Sequence, residues 1–282
     1  MATIIDGKRI SAEIRTELAE KTKAFEAAHG TVPGLAVIIV GEDPASRVYV
    51  RNKHKACAEV GFYSEVHELP ADSTQEQVIA LIDRLNEQTN IHGILVQLPL
   101  PKHLNEQTIL LRIKPEKDVD AFHPYNVGKI MIGDYNVLPC TPAGVMQLLG
   151  RSGVSAAGKH CVVIGRSNIV GKPMAMLLLH DNGTVTICHS RTPDLKAQTL
   201  QADILIAAVG RVGFVTADMV KPGAVVIDVG INRLADGTLC GDVAFKEVEE
   251  KAYAITPVPG GVGPMTVTML LYNTLTAAKE SI

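Results

Sequence analysis

Tyr49 and Lys53 stand four residues apart in Tyr49-Val-Arg-Asn-Lys53, so a helix projects both from one face. Val48, Ala56 and Val60 form the neighbouring apolar stripe, which sets Lys53 close to the apolar side. An amine drawn towards apolar surroundings has its charged form penalised; its pKa falls and it can exchange protons near neutral pH. The competing reading is a solvated surface lysine, and His54 and Lys55 beside it are expected on the wet side. Gln97 closes a later apolar run, immediately before Leu98 and Pro99. An amide there can hydrogen-bond an amine without adding charge. In Lys117-Asp-Val-Asp120 two carboxylates alternate, so an extended chain points Asp118 and Asp120 in different directions. Either can bind a ligand amine.

A second set of residues suits a phosphate. Val162 to Ile164 read as a short buried strand, Gly165 ends it, and Gly171 opens Lys172-Pro-Met-Ala-Met-Leu-Leu-Leu179 as a helix. Strand, glycine turn and helix start point free N–H groups and the helix dipole at an anion. The dinucleotide fingerprint G-x-G-x-x-G is only partly met, since Ser167 replaces its middle glycine, and the spacing of Gly165 and Gly171 does not fit a P-loop. The end of the next strand reads His189-Ser-Arg-Thr192, without the carboxylate that would select NAD. Ser190 can donate to a phosphate oxygen, and Arg166 or Arg191 can supply a cation, so NADP is predicted over NAD. Both arginines as solvated surface charges is the alternative. The stretch Pro257–Pro264, with Pro259, Gly260 and Gly261, has little side chain to pack and suits close backbone approach to a flat ligand.

The elements that must hold these residues alternate. Residues 8–28 carry Ile10, Ile14, Leu18 and Phe25 at mostly helical spacing, and Leu35 to Val40 is a buried strand. A helix then starts at Asp43 with Pro44 in its first turn and ends near Gly61. Phe62–Leu69 and Ile91–Leu98 read as strands around a helix at 74–88, and a short helix lies near 105–113. Residues 121–140 lack periodicity and are read as an interdomain crossing. A helix over 141–149 precedes a second α/β unit with strands at 162–164, 184–189, 204–209 and 224–229. Gly210 and Gly230 close the last two, on the side where open sheets bind ligands. A final helix is expected over 265–280. The fold class is therefore α/β, with parallel sheets in two domains, at 1–120 and 121–282.

Composition narrows the class. With 282 residues the chain can bury two cores, and a net charge of −3 without a long basic run argues against nucleic acid and anionic membranes. Five cysteines without C-x-x-C and nine histidines without H-x-x-x-H argue against a disulfide framework and a zinc site. No apolar run reaches membrane length, and the first eight residues lack the features of a signal or transit peptide. A cytoplasmic protein is expected.

Five stretches together resemble the bifunctional methylenetetrahydrofolate dehydrogenase/methenyltetrahydrofolate cyclohydrolase family: Ser46–Lys53, Val96–Pro101, Lys117–Asp120, Val163–Pro173 and Val258–Thr266. They follow the family order along almost the whole chain. One departure is Ala121, where the family usually has glycine. The resemblance implies a small N-terminal catalytic and folate-binding domain, a Rossmann-like NADP-binding domain, and an active-site cleft between them. It further implies that the final helix, about 265–282, packs back on the N-terminal domain, and that the protein is a homodimer. The implied chemistry is NADP-dependent oxidation of 5,10-methylenetetrahydrofolate, then hydrolysis to 10-formyltetrahydrofolate, with no metal. Lys53 would be the proton carrier, Gln97 would tune and orient it, Tyr49 would help hold the substrate ring, and Asp120 would grip the pterin amino group. Leu98, Pro99, Pro259, Gly260 and Gly261 would complete the folate contacts. Gly165, Arg166, Ser167, Ser190 and Ile231 would hold the cofactor. A shikimate-type dehydrogenase and a non-catalytic nucleotide-binding protein are the rival readings.

Overall fold

The computed structural model describes residues 1–282 apart from the side chain of Ala45. In chain order the first half is β1 (Thr3–Ile4), α1 (Gly7–His29), β2 (Gly34–Val40), α2 (Pro44–Glu59), β3 (Tyr63–Leu69), α3 (Gln75–Glu87), β4 (Gly93–Val96), α4 (Glu106–Leu110) and α5 (Pro124–Ile132). The second half begins with α6 (Cys140–Arg151), β5 (His160–Ile164), α7 (Gly171–His180), β6 (Thr184–Cys188), α8 (Leu195–Thr199), β7 (Ile204–Ala207) and β8 (Val225–Asp228). It closes with the hairpin β9 (Asn232–Arg233) and β10 (Leu239–Cys240), then α9 (Phe245–Glu249), β11 (Ala254–Ile255) and α10 (Val262–Glu280).

The chain divides into two compact units. Glu13–Cys140 and Val267–Ile282 form one, built on the three-stranded parallel sheet β3-β2-β4. β2 is buried at every position, as expected of a central strand covered on both faces. Val78, Ile82 and Leu85 of α3 pack on one side with Ile38, Ile94 and Val96 of the sheet. Local chemistry sets the helix starts. The Asp43 carboxylate accepts the Ser46 N–H at 2.8 Å with Pro44 in the first turn of α2, and Thr74 and Gln77 form a capping box on α3. Such a cap is worth about 1 kcal/mol.

Met1–Ala12 and Thr141–Thr266 form the other unit, built on a six-stranded sheet of order β1-β11-β8-β7-β5-β6. All its pairings are parallel, and the winding reverses at β5, whose neighbours are β6 and β7. That reversal makes it a doubly wound, Rossmann-like unit with its switch point between β5 and β7. Residues 1–12 lie in this unit because β1 pairs with β11 and Ile5 donates its N–H to Ile255 at 2.9 Å. The division thus differs from a boundary at residue 120. Residues 121–140 also differ from the expected irregular crossing, since they contain α5. Its start is fixed by a side chain outside the helix. The buried Asp118 accepts the His123 N–H at 2.7 Å and the Asn126 amide at 3.0 Å.

Candidate active site

In the three-stranded unit, α2 carries Lys53 on its buried face. Val50, Ala56, Cys57 and Val60 make up that face, whereas Val48, expected in the stripe, is 45% exposed. Val48 is two residues from Val50, about 200° around a helix, so the two cannot share a face. Lys53 itself is 9% exposed, and His54 and Lys55 are exposed. Tyr49, one turn earlier, is 45% exposed. The i, i+4 pair therefore has one buried amine and one open ring.

Gln97 extends β4, donating its backbone N–H to Ile38 of the central strand at 2.8 Å. Its amide nitrogen donates to the Leu98 carbonyl at 2.7 Å, which orients the amide so that its oxygen accepts from the Lys53 Nζ at 2.8 Å. The Leu98–Pro99 peptide is cis, Leu98 is half-buried and Pro99 is exposed. Burial lowers the pKa of Lys53, and the charge of Asp120 partly opposes this. Burial in turn raises Asp120 to about 6, with Lys53 pulling the other way.

The two aspartates of Lys117–Asp120 have different surroundings. The Asp118 carboxylate is taken up by His123 and Asn126. Asp120 receives only a weak bond from the Cys140 thiol, at 3.6 Å. Cys140 is buried and its pKa is pushed well above the ordinary value by burial and by Asp120, so it stays a neutral donor. The buried Asn273 of α10 uses its amide N–H groups on the carbonyls of Val119 at 2.8 Å and Leu138 at 2.7 Å, bracing the backbone beside both Asp120 and Cys140. Neither Cys140 nor Asn273 was legible as part of this cluster, because their partners are distant in sequence: Asn273 lies 154 positions from Val119 and Cys140 lies 20 from Asp120. Ala121 is buried with φ +57°. A side chain in that left-handed region costs roughly 1–2 kcal/mol, which a glycine there would avoid.

In the six-stranded unit the turn after β5 is built for close approach. Gly165 has φ +136°, and a Cβ there would lie 2.4 Å from the Ala208 carbonyl oxygen. A Cβ on Gly171 would lie 2.2 Å from the Gly165 oxygen. Ser167, in place of the middle glycine, accepts the N–H groups of Val170 at 3.2 Å and Gly171 at 3.3 Å through its hydroxyl. The backbone N–H groups of Arg166 and Ser167 have no partner among the described residues. Arg166, Ser190 and Arg191 are exposed, and neither arginine has an ion-pair partner among the described residues. Free N–H groups at a glycine turn on the switch point, with two unpaired cations and a serine hydroxyl in the same unit, fit a phosphorylated dinucleotide.

Ile231, after β8, is 48% exposed. In the Pro257–Pro264 stretch, Gly260 and Gly261 pack closely against their own unit. Gly260 has φ +109° and accepts the Lys8 N–H at 3.1 Å, and a Cβ on Gly7 would lie 1.8 Å from the Gly261 oxygen. Gly260 and Gly261 are buried, whereas Pro259, after a cis peptide, is exposed. Among the described residues no cluster of His, Cys, Asp and Glu is placed to hold a metal, and no helix is long and apolar enough to cross a membrane.

Known proteins match both units. Residues 5–120 match the catalytic domain of tetrahydrofolate dehydrogenase/cyclohydrolase, and residues 139–282 match its NAD(P)-binding domain. The bifunctional protein FolD of Moorella thermoacetica is 60% identical over 279 residues, 99% of each chain. The crystal structure of the bifunctional FolD methylenetetrahydrofolate dehydrogenase/cyclohydrolase of Campylobacter jejuni gives a TM-score of 0.97 at 51% identity, covering 100% of both chains. The FolD enzyme of Trypanosoma brucei, solved with NADP and an inhibitor, gives 0.95 at 45% identity over 99% of this chain and 98% of that one. With both domains matched in order and identity this high along the full length, the chain belongs to the tetrahydrofolate dehydrogenase/cyclohydrolase family.

Proposed function

We propose that the chain oxidises 5,10-methylenetetrahydrofolate with NADP and hydrolyses the methenyl product to 10-formyltetrahydrofolate. The observation that carries this reading is the buried Lys53 amine bonded to Gln97 near Asp120, in a chain whose family has both activities. NADP, when bound, supplies the hydride acceptor. The hydride leaves the methylene carbon with its electron pair, and the two folate nitrogens share the remaining cation. No general base is needed, so the chain contributes placement. Gly165, Arg166, Ser167, Ser190 and Ile231 would hold the nucleotide, with Arg166 and Arg191 competing for the 2′-phosphate. In the hydrolysis, water adds to the methenyl carbon and gives up both its protons, one released to solvent and one taken by the departing ring nitrogen as its bond to that carbon breaks and the formyl C=O forms. Lys53 would carry the proton between them, because burial makes its neutral form accessible. Tyr49, Leu98 and Pro99 would line the folate. A single assay tests the whole reading: methylenetetrahydrofolate is supplied with NADP or NAD while reduced nucleotide and formyl product are followed together. Nucleotide reduction with a hydroxy acid and none with the folate would return the shikimate-type reading.

Burial keeps the Lys53 pKa low, and Gln97 bonds the amine without adding an opposing charge. Gln97→Glu would set an opposite charge within hydrogen-bonding distance of the amine. Such a neighbour raises a lysine pKa by about 1–3 units, so the free amine at neutral pH should fall about tenfold or more. The pH–rate profile of the cyclohydrolase should therefore move its rising limb upward in this variant. An unmoved limb means that Gln97 does not tune the amine.

Asp120 would grip the pterin amino group as a carboxylate. With a pKa of about 6 it is ionised above that pH and protonated below. Folate KM should accordingly rise as pH falls through about 6 in the wild type. Asp120→Asn should show a KM about tenfold or more higher at neutral pH and flat across that range, because a charge-assisted bond contributes about 1.5–3 kcal/mol. A wild-type KM in Asp120→Asn at pH 7.5 ends this assignment.

The assembly is proposed as a homodimer in the cytoplasm. The dimer rests on the family resemblance, and the compartment on five cysteines that are all free. Light scattering on the purified chain checks the first.

A further inference from the structure

Two buried carboxylates in the six-stranded unit have no part in the chemistry above. Asp242 is fully buried and accepts four hydrogen bonds: from the N–H groups of Val209 at 2.7 Å, Gly210 at 2.9 Å and Arg211 at 2.8 Å, and from the Asn232 amide at 2.9 Å. Asp228, the last residue of β8, accepts the N–H groups of Gly230, Asp242 and Val243, each at 2.9 Å. The carboxylates are nested. Asp228 fixes the backbone of Asp242, and Asp242 fixes the turn after β7 and the residue next to Ile231. The surrounding glycines are shaped to this arrangement. A Cβ on Gly230 would lie 2.3 Å from the Asp242 carboxylate, and one on Gly241 would lie 1.8 Å from the Asp228 Oδ2.

Gly210 and Arg211 are exposed, and water could satisfy their N–H groups in an ordinary surface turn. Here a carboxylate removed from solvent holds them instead. Both turns leave the carboxyl ends of parallel strands, β7 borders the switch point, and ligands of open sheets bind at those ends. From this placement we infer that Asp242 is a positioning residue for hydride transfer: it holds the 209–211 turn and the Ile231–Asn232 segment in the conformation that receives the nicotinamide nucleotide. The inference rests on the dinucleotide reading of this unit. It adds a residue that touches neither the nucleotide nor the folate in that role.

Asp242→Asn leaves one acceptor oxygen and turns an NH2 group towards N–H donors, so part of the network must open. Asn232→Ala is the milder variant, because the three backbone bonds to Asp242 remain. Both are assayed for NADP KM, folate KM, dehydrogenase kcat and hydrolysis of methenyltetrahydrofolate without nucleotide. Displacement of a bound reactant by about 1 Å can cost on the order of 100-fold, so kcat/KM for NADP should fall about 10- to 100-fold in Asp242→Asn. Asn232→Ala should lose several-fold. Folate KM and cyclohydrolase rate should stay within about twofold of wild type in both variants, since no hydrogen bond from this network reaches Lys53, Gln97 or Asp120. Wild-type NADP kinetics in Asn232→Ala, or a proportional loss of both activities in that variant, would overturn the positioning role, whether or not Asp242→Asn folds. A wild-type chain that reduced no nucleotide would sink the function itself, an outcome separable from these.

Discussion

Lys53→Met is expected to remove cyclohydrolase activity while leaving most of the dehydrogenase rate. The two steps make different demands. Hydride loss leaves a cation that the folate nitrogens share, so no side chain has to take up a proton. Hydration and ring opening need a group that accepts and returns one, and a positioned general acid–base is worth about 100- to 10,000-fold. Met keeps the length and apolar stem of lysine without the titrating amine, so it suits the buried face of α2 that Lys53 shares with Val50, Ala56 and Cys57. Lys53→Arg sharpens the comparison. It keeps the positive charge but cannot give up its proton near neutral pH. If proton exchange is the role, Arg should be as inactive in methenyltetrahydrofolate hydrolysis as Met; if only the charge matters, it should retain activity. Full hydrolysis by Lys53→Met would refute the assignment outright. Dehydrogenase turnover followed in the same preparations guards against misfolding, because a general collapse would remove both.

The sequence made part of this cluster legible because its signals are local. The i, i+4 spacing of Tyr49 and Lys53, the Asp43-Pro44 helix start and the apolar run before Gln97 are short-range patterns, and each has its element in the structure. What was not legible depends on distant partners. Helix α5 starts where Asp118 accepts from His123 and Asn126, a bond pattern that periodicity cannot register. The difference between Asp118 and Asp120 is likewise one of hydrogen-bond partners, invisible in an alternating pair of identical residues. Residues 1–12 belong with the six-stranded sheet through a two-residue pairing with β11, too short to read as a strand signal. The glycines of 257–264 were legible as needing backbone freedom, and the need is met locally: Gly260 has φ +109°, and a Cβ on Gly261 would lie 2.6 Å from the Pro257 oxygen.

Gly165→Ala should give the reverse dissociation, with loss of NADP-linked oxidation and retention of hydrolysis. At φ +136° an alanine is strained, and its Cβ would lie 2.4 Å from the Ala208 carbonyl oxygen, which is backbone and cannot swing aside. The turn after β5 or the end of β7 must move, and these border the switch point where the nucleotide phosphates would lie. Strain of this kind, with the displaced contacts, costs roughly 2–4 kcal/mol. In a unit of this size that lowers the melting temperature by about 2–4 °C per kcal/mol, so the variant should still be folded at assay temperature. The catalytic penalty should exceed the thermal one. Misplacing the phosphate cradle by about 1 Å can cost on the order of 100-fold in nucleotide-dependent turnover. Lys53, Gln97 and Asp120 belong to the other unit, so methenyltetrahydrofolate hydrolysis without nucleotide should stay near wild type. NADP-linked turnover near wild type in Gly165→Ala would mean that this turn does not cradle the nucleotide. Joint loss of both activities would mean that the strain spreads beyond its own unit. The expected pair of results, hydrolysis lost in Lys53→Met and oxidation lost in Gly165→Ala, would assign each activity to its own set of residues.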